Sequence, residues 1–401
     1  MTSLDDGLVE IDSDETNLDT EFVDREHPRF ISLELTNFLS YKQAKLEFGE
    51  FIALVGPNAS GKSNLVAAIK LLREIPTYGL QTAIARRGGF DQLRHRSAGR
   101  PYDPAIRLTF AMGENPASTY ELRLGAVKGQ RYKVKKESAD VYWRGRRFTL
   151  DSDGSKVVWT DARQNGANRR RAEFVVAPGQ SAISTGGLGG YVVYDALQMM
   201  QTVEVNPAKV ADLQEPSSTR EFDSDGSNVT SIYENLDAAT KRELVDELAA
   251  IVPGIESIEV ARLADRQTLR FRQRTESGIR EFYAKQMSDG TLRALAILLA
   301  ALQRSRPGLL VIEEPEVAIH LGALRTLVEL LQVQSEQSQI LITTHSADIV
   351  DALPIDSIRI VWSQSDASHV APISEHSKEP VRLGLITPGQ LLRSDSLDPA
   401  I

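Results

Sequence analysis

The 401-residue sequence has no cysteine, which excludes thiol catalysis and disulfide scaffolds and suits a reducing cytoplasm, the location expected for this chain. Long hydrophobic runs are missing too. The best candidate, residues 292–302, is interrupted by Arg293 and falls well short of the ~20 apolar residues that span a bilayer, so no membrane association is expected. Nor is there a basic amino-terminal region: Met1 is followed by acidic residues, which argues against a secretory leader. What is present is ordinary globular material, 41% hydrophobic and 25% charged. At roughly 150 residues per domain, the length predicts two or three lobes around a sizeable core. No internal repeat is found.

The formal net charge of −9 is unevenly spread. Residues 1–29 hold ten acids against Arg25 and Arg29, a balance of −8, and the other 372 residues carry −1. The acidic segment lacks periodicity and reads as disordered or loosely attached. It either aids solubility or occupies a basic surface or a partner.

Strand patterns follow at residues 30–37 and 45–48, joined by a turn-like stretch at 38–43. The unbroken apolar run FIALV (residues 51–55) reads as a strand buried on both faces. A helix is expected from Lys62 to about Arg73, with Pro76 just beyond its end. Residues 106–176 contain short β segments (IRLTFAM, TYELRLGAV, YKVKK, DVYWRG, KVVWT), the pattern of an antiparallel lobe. Loops are expected at 179–190 and 215–228, helices at 191–213 and 229–251, and a β hairpin at 255–282. The last third alternates: helix 291–303, strand 309–312, helix 322–334, strand 339–343, helix 347–352, strand 358–362. Such alternation predicts a mostly parallel sheet covered on both faces, an α/β fold.

Four motifs carry chemistry. Residues 56–63 read GPNASGKS, the G-x-x-x-x-G-K-S pattern, between a buried strand and a helix as that pattern requires. Its backbone N–H groups form an anion cradle, Lys62 can reach the β- and γ-phosphates of ATP, and Ser63 can offer its oxygen to Mg²⁺. Gly56, Pro57, Asn58, Ala59, Ser60, Gly61, Lys62, Ser63 and Asn64 are the expected nucleotide-binding residues. Next, LLVIEEPE (309–316) delivers Glu313 and Glu314 to the carboxyl edge of the sheet, where open α/β sheets bind ligands. Glu313 would hold Mg²⁺ directly or through water, and Glu314 would orient or deprotonate the attacking water. In LITTHS (341–346), His345 closes a strand and could bond the γ-phosphate or that water. Finally, MSDGT (287–291) places Ser288, Asp289 and Gly290 at a helix start, either a further anion site or an ordinary cap.

In this order the four motifs resemble ATP-binding-cassette ATPase heads of the RecF, SMC and OLD type, over nearly all of residues 30–401. The likeness is strongest to stand-alone AAA-type, RecF-like ATPases often encoded beside nucleases. It implies a P-loop NTPase fold of the ABC head type with an antiparallel β lobe and a helical insertion. GPNASGKS looks like the family's Walker A, MSDGT its signature loop, LLVIEEPE its Walker B with catalytic glutamate, and TTHS its switch histidine. The implied division is 30–105 and 286–401 for the two halves of the head and 106–285 for the lobe and insertion, after the acidic segment 1–29. The resemblance also implies a homodimer or larger assembly whose heads sandwich ATP, with Ser288 acting in trans. Two positions depart from the family's pattern: Glu313 stands for its usual aspartate, and Asp289 for its usual glycine. The family's Q-loop glutamine, a Mg²⁺ ligand, would be Gln92. Without a long heptad region, SMC coiled-coil arms are not expected. The 56 residues after His345 leave no room for a TOPRIM nuclease domain, so any nuclease would be another chain.

Lys128, Arg131, Lys133, Lys135, Lys136, Arg144, Arg146, Arg147 and residues 169–171 crowd the β lobe with Tyr132, Tyr142 and Trp143 among them. They form either a DNA-binding patch or a solvated sheet face. The expected function is thus a Mg²⁺-dependent ATPase coupling nucleotide state to DNA or to a separate nuclease or toxin effector, in repair or anti-phage defence. The alternative is a nucleotide-gated scaffold that sequesters an effector with little turnover. A metabolic kinase fits less well, since no lid or acceptor-site pattern accompanies the P-loop.

Overall fold

A computed structural model describes residues 27–96, 102–128, 131–163, 169–185 and 188–400; most of the acidic segment, residues 1–26, lies outside them. The chain begins with the hairpin β1 (Pro28–Phe38) and β2 (Tyr41–Glu47), then β3 (Phe51–Val55) and α1 (Lys62–Tyr78). Short helices α2 (Leu80–Ala85) and α3 (Phe90–Leu93) precede β4 (Ala105–Met112), β5 (Ser118–Val127), β6 (Arg131–Trp143), β7 (Arg146–Ser152), β8 (Lys156–Arg163) and β9 (Arg170–Val175). Next come α4 (Leu188–Gln198), β10 (Met200–Val203), α5 (Pro207–Ala211), α6 (Val229–Glu234), α7 (Ala238–Ile251), β11 (Ile255–Leu263), β12 (Arg266–Thr275) and β13 (Gly278–Tyr283). The last part runs α8 (Asp289–Leu302), β14 (Leu309–Glu313), α9 (Leu321–Gln334), β15 (Gln339–Thr344), α10 (Ala347–Asp351), β16 (Ile358–Gln364), β17 (Ala367–Pro372), α11 (Glu375–Arg382) and α12 (Pro388–Arg393).

Among the described residues three sheets result, ordered β2-β1-β4-β5-β6-β7-β8-β9, β10-β14-β15-β3-β16-β17 and β11-β12-β13. The first is antiparallel throughout, and β4 pairs with β1, so it runs unbroken across residue 105. In the second, β10, β14, β15, β3 and β16 are parallel and only β17 is antiparallel.

The period-two alternation of the parallel strands divides their side chains between two cores. Ile52, Leu54, Leu309, Val311 and Leu341 join α1 and the antiparallel sheet in one core. Ala53, Val55, Leu310, Ile312, Ile340 and Ile342 join α8 and α9 in the other. Every residue of FIALV is therefore buried, as its unbroken apolar run requires. Each of its large apolar side chains stabilises the fold by roughly 1.5–3 kcal/mol.

Several elements differ from the sequence pattern. Helix α1 continues through Pro76 to Tyr78 and stops at Gly79 (φ 80°), whose N–H donates to the Ile75 carbonyl. Proline at this point costs the helix one hydrogen bond near its end, which a 17-residue helix with a buried face tolerates. The helix expected over 191–213 is three elements, because Asn206 caps α5 and Pro207 opens it, which forces the preceding chain to be extended. The helix expected over 229–251 breaks where Asp237 accepts from the N–H groups of Ala239 and Thr240 and starts α7. YKVKK and DVYWRG belong to the single strand β6, and the hairpin at 255–282 has three strands. α2, α3, β7, β9, β17, α11 and α12 have no counterpart in the pattern reading.

Candidate nucleotide site

Because β14, β15 and β3 are parallel neighbours, with Thr344 opposite Val55 and Glu313 opposite Thr343, their carboxyl ends share one edge of the sheet. Gly56 leaves β3 so close to β16 that a Cβ there would lie 2.1 Å from the Val361 carbonyl oxygen. Pro57, Asn58 and Ala59 form an exposed crest, with Ala59 in the left-handed region at φ 63°. Gly61 (φ 116°) caps α1, whose first turn contains no acidic residue to oppose an anion. The loop rests on the β1–β2 turn and β17: Tyr41 donates to the Gly61 carbonyl (3.0 Å), Asn64 to Ser40 Oγ (2.7 Å) and Ser368 to the same Ser40 oxygen (2.7 Å). Burial raises the Tyr41 hydroxyl far above its ordinary value, so it stays a donor.

The Lys62 ammonium is buried and donates to the carbonyls of Gly56 (2.7 Å) and Pro57 (3.0 Å). Burial pulls its pKa down, against the opposing pull of Glu314 and Glu316. Beside it the Ser60 hydroxyl is buried without a hydrogen-bond partner. A buried orphan hydroxyl and an ammonium at an unopposed helix N-terminus fit a bound phosphate chain.

At the end of β14 the backbone turns sharply. Glu314 has φ 44°, its N–H donates to the Thr343 carbonyl and hydroxyl oxygens (3.1 and 3.2 Å), and its own carbonyl accepts from Arg293 of α8 (3.2 Å). This turn leaves the Glu314 carboxylate partly exposed, with Oε1 3.7 Å from Nδ1 of His345. Glu313 points the other way. It is mostly buried and pairs with Lys70 of α1 (2.7 Å), which also holds Glu204 (3.0 Å) after β10. Burial pulls Lys70 down, but the two carboxylates outweigh it and hold its pKa above the ordinary value.

The signature segment opens α8. Ser288 Oγ accepts from the Thr291 N–H (3.2 Å), the geometry of an N-cap, and a Cβ on Gly290 would come within 2.3 Å of the Ala318 carbonyl oxygen. The segment is therefore packed against the turn that follows Glu314.

Over this geometry lies a protein-family match. The family described as "AAA domain, putative AbiEii toxin, Type IV TA system" matches residues 51–185 and 195–351, more than half of the chain. The chain belongs to this AAA family. Structural maintenance of chromosomes protein 1 of Arabidopsis thaliana is 30% identical over 110 residues, which are 26% of this chain and 9% of that protein. Its Saccharomyces cerevisiae counterpart is 41% identical over 61 residues, 14% of this chain and 5% of that protein. The chain thus spans a small fraction of the length of these relatives. Among solved structures, an Smc head bound to the C-winged helix domain of ScpA has a TM-score of 0.54 at 16% identity, covering 87% of this chain and 99% of that one. A Pyrococcus furiosus Smc head with an extended coiled coil, bound to the C-terminal domain of ScpA, has a TM-score of 0.54 at 13% identity, covering 89% and 99%. At such identities the likeness is one of fold. Together, these make the chain an AAA-family domain with the fold of an SMC head.

In the AAA head, Lys62, Glu313, Glu314 and His345 stand at one sheet edge, as their motifs imply. Gln92 does not join them. It lies exposed on α3, accepts from Arg96 (3.1 Å), and its helix is tied to the β1–β2 hairpin through Leu93 and Leu39. Among the described residues no group of three or more acidic or histidine side chains has metal-holding geometry. Ser63 is exposed in the first turn of α1 and Glu313 is held by Lys70 (2.7 Å); Mg²⁺ usually takes one or two protein ligands and completes its shell with phosphate oxygens and water.

Motif spacing does not single out three further residues at this edge: Lys70, Glu204 and Glu316. Glu316 Oε1 accepts from Thr344 Oγ1 (2.7 Å) and from the His345 N–H (3.1 Å). The EEPE spacing, two residues past Glu314, was the available signal for it.

The basic lobe separates into two groups. Strand register places Arg144, Arg146, Arg147, Arg163, Arg170 and Arg171 at one end of β6–β9, whereas Lys128, Arg131 and Lys133 lie toward the other. Arg146 is forked onto Asp161 (2.8 and 2.6 Å) and Arg147 onto Asp140 (2.8 and 2.7 Å). Arg144 lies over the Trp143 ring, 4.5 Å from its centroid. Lys135 pairs with Asp103, and Lys136 with Glu121 at 3.5 Å. Tyr132 is engaged elsewhere, donating to the Gly179 carbonyl (2.7 Å) and stacking on Phe90, so one face of its ring is already covered.

Proposed function

We propose that the AAA head binds ATP with Mg²⁺ at residues 56–64 and hydrolyses it to ADP and phosphate. In this reading two copies close around two ATP molecules, Ser288, Asp289 and Gly290 of one facing the Walker A loop of the other. The proposed division is 30–105 and 286–401 for the two halves of the head and 106–285 for the insertion, with β4 continuing the β1–β2 sheet and β10 joining the head's parallel sheet. Nucleotide state is then coupled to DNA or to a separate nuclease or toxin effector, in repair or anti-phage defence. One observation carries the proposal: adjacent parallel strands bring an ammonium, two carboxylates and an imidazole to the edge from which a phosphate-binding loop emerges.

The loop's backbone N–H groups and the N-terminus of α1 receive the phosphates, and Lys62 neutralises their charge. Ser63 and Glu313 would hold Mg²⁺, which when bound would neutralise phosphate charge. Glu314, carried outward by its left-handed turn, orients the attacking water or takes its proton. Phosphate release by purified protein tests the reading: Lys62→Ala and Glu314→Gln should each lower kcat by about 10²-fold or more. Turnover indifferent to both changes would sink it.

A second reading, a nucleotide-gated scaffold with little turnover, draws support from Lys70, whose pairing with Glu313 restrains the metal-binding acid at rest. If Glu314→Gln locks a dimer on ATP and releases the partner with hydrolysis abolished, gating alone suffices.

A further inference from the structure

We propose that Glu316 is the positioning residue for His345, holding its ring as the Nδ1–H tautomer so that Nε2 faces outward as a hydrogen-bond acceptor for water. The functional consequence rests on the ATPase reading; the tautomer itself does not.

Glu316 follows the Glu314 turn by two residues, and its side chain is only 10% exposed. One oxygen does most of the work: Oε1 accepts from Thr344 Oγ1 at 2.7 Å and from the His345 N–H at 3.1 Å. Those two bonds fix the carboxylate against the end of β15. From there Oε1 lies 3.5 Å from Nδ1 of the His345 ring, while Glu314 Oε1 lies 3.7 Å from the same nitrogen. The other Glu316 oxygen, Oε2, is buried with no hydrogen-bond partner.

A neutral imidazole carries one N–H and one lone pair, and the partner of one nitrogen decides the state of the other. A lone pair on Nδ1 would face two carboxylate oxygens and be repelled, whereas a proton there would be attracted by both. Glu316 has the stronger hold because its oxygen is nearer and fixed, while Glu314 is 42% exposed and belongs to the reacting water. Nε2 is then left with its lone pair, and the ring, 47% exposed, can accept from a water O–H while Glu314 receives the proton that is lost.

The test is the ring itself. Long-range proton–nitrogen correlation spectra of isotope-labelled histidine, with His345 assigned through His345→Gln, should show a protonated Nδ1 and an unprotonated Nε2 in the intact chain at neutral pH. Glu316→Ala should move the ring toward the Nε2–H form, and Glu316→Gln, which keeps an acceptor oxygen, should restore it. A native His345 carrying its proton on Nε2, or an unchanged ring pattern in Glu316→Ala, overturns the proposal. Should Glu316→Ala fail to fold, the native spectrum decides. In turnover, Glu316→Ala should lower kcat by about 10-fold or more with KM for ATP little changed, and Glu316→Gln should recover most of it. A native protein without ATPase activity would refute the ATPase reading and leave the tautomer result standing.

Discussion

A methyl group at Gly56 would meet the Val361 carbonyl oxygen at 2.1 Å, and that oxygen belongs to strand β16, which cannot yield without disturbing its neighbours. Gly56→Ala should therefore cost about 1–3 kcal/mol, read as a lower urea midpoint at unchanged slope, and should weaken ATP binding as well. An unchanged midpoint would show that the loop relaxes freely. The Walker A residues are legible in the sequence because contiguous residues create the anion cradle. Lys70 is not, since its partner Glu313 is 243 residues away and only the fold places α1 beside β14. Glu316 lies between these cases: its position is visible beside Glu314, but its purpose depends on β15 bringing Thr344 and His345 to it.

Helices α7 and α9 meet through polar groups as well as apolar ones. Gln334 of α9 donates to Glu247 (3.0 Å) and Glu243 (3.2 Å) of α7, and Glu247 Oε2 is buried without a partner. Burial raises the Glu247 pKa to about 7, with Glu243 adding to the shift and Gln334 and Arg306 opposing it. A carboxyl whose folded pKa is raised binds its proton more tightly in the folded state, so the stability it contributes is complete below the unfolded value of about 4.3 and is lost as pH rises through about 7. Glu247→Gln should then raise the urea midpoint at about pH 8 and leave it nearly unchanged near pH 4. An equal gain at both would assign the effect to packing. Elements buried on both faces, such as β3, β14 and β15, announce themselves as apolar runs bounded by turn residues. β10 does not, because it is four residues long and pairs only with β14 at the sheet edge, so its Met200 and Val203 blend with the helical spacing of α4.

On the scale of the whole molecule, a net charge of −9 argues against nucleic acid, yet −8 of it belongs to residues 1–29. The rest is nearly neutral and locally polarised. The strand ends of β6–β9 gather Arg144, Arg146, Arg147, Arg163, Arg170 and Arg171 against Asp140 and Asp161. Arg146 and Arg147 are already forked onto those two acids, so they would release few counterions on meeting a phosphate. Arg144, over the Trp143 ring, together with Arg163 and Arg170, would dominate any DNA contact, since Arg171 is already paired with Glu173 (2.7 Å); Trp143 is adjacent for stacking. If the proposed coupling to DNA uses this rim, binding should weaken log-linearly with salt, and the combined change Arg144→Ala, Arg163→Ala and Arg170→Ala should reduce that slope by about 2–3. Mobility shifts on duplexes of unrelated sequence should lose affinity alike, since backbone phosphates carry no sequence information. A slope unaffected by the triple change, or no binding even at low ionic strength, would leave the rim as a solvated sheet end and direct the search for a partner to the head surface around Ser288.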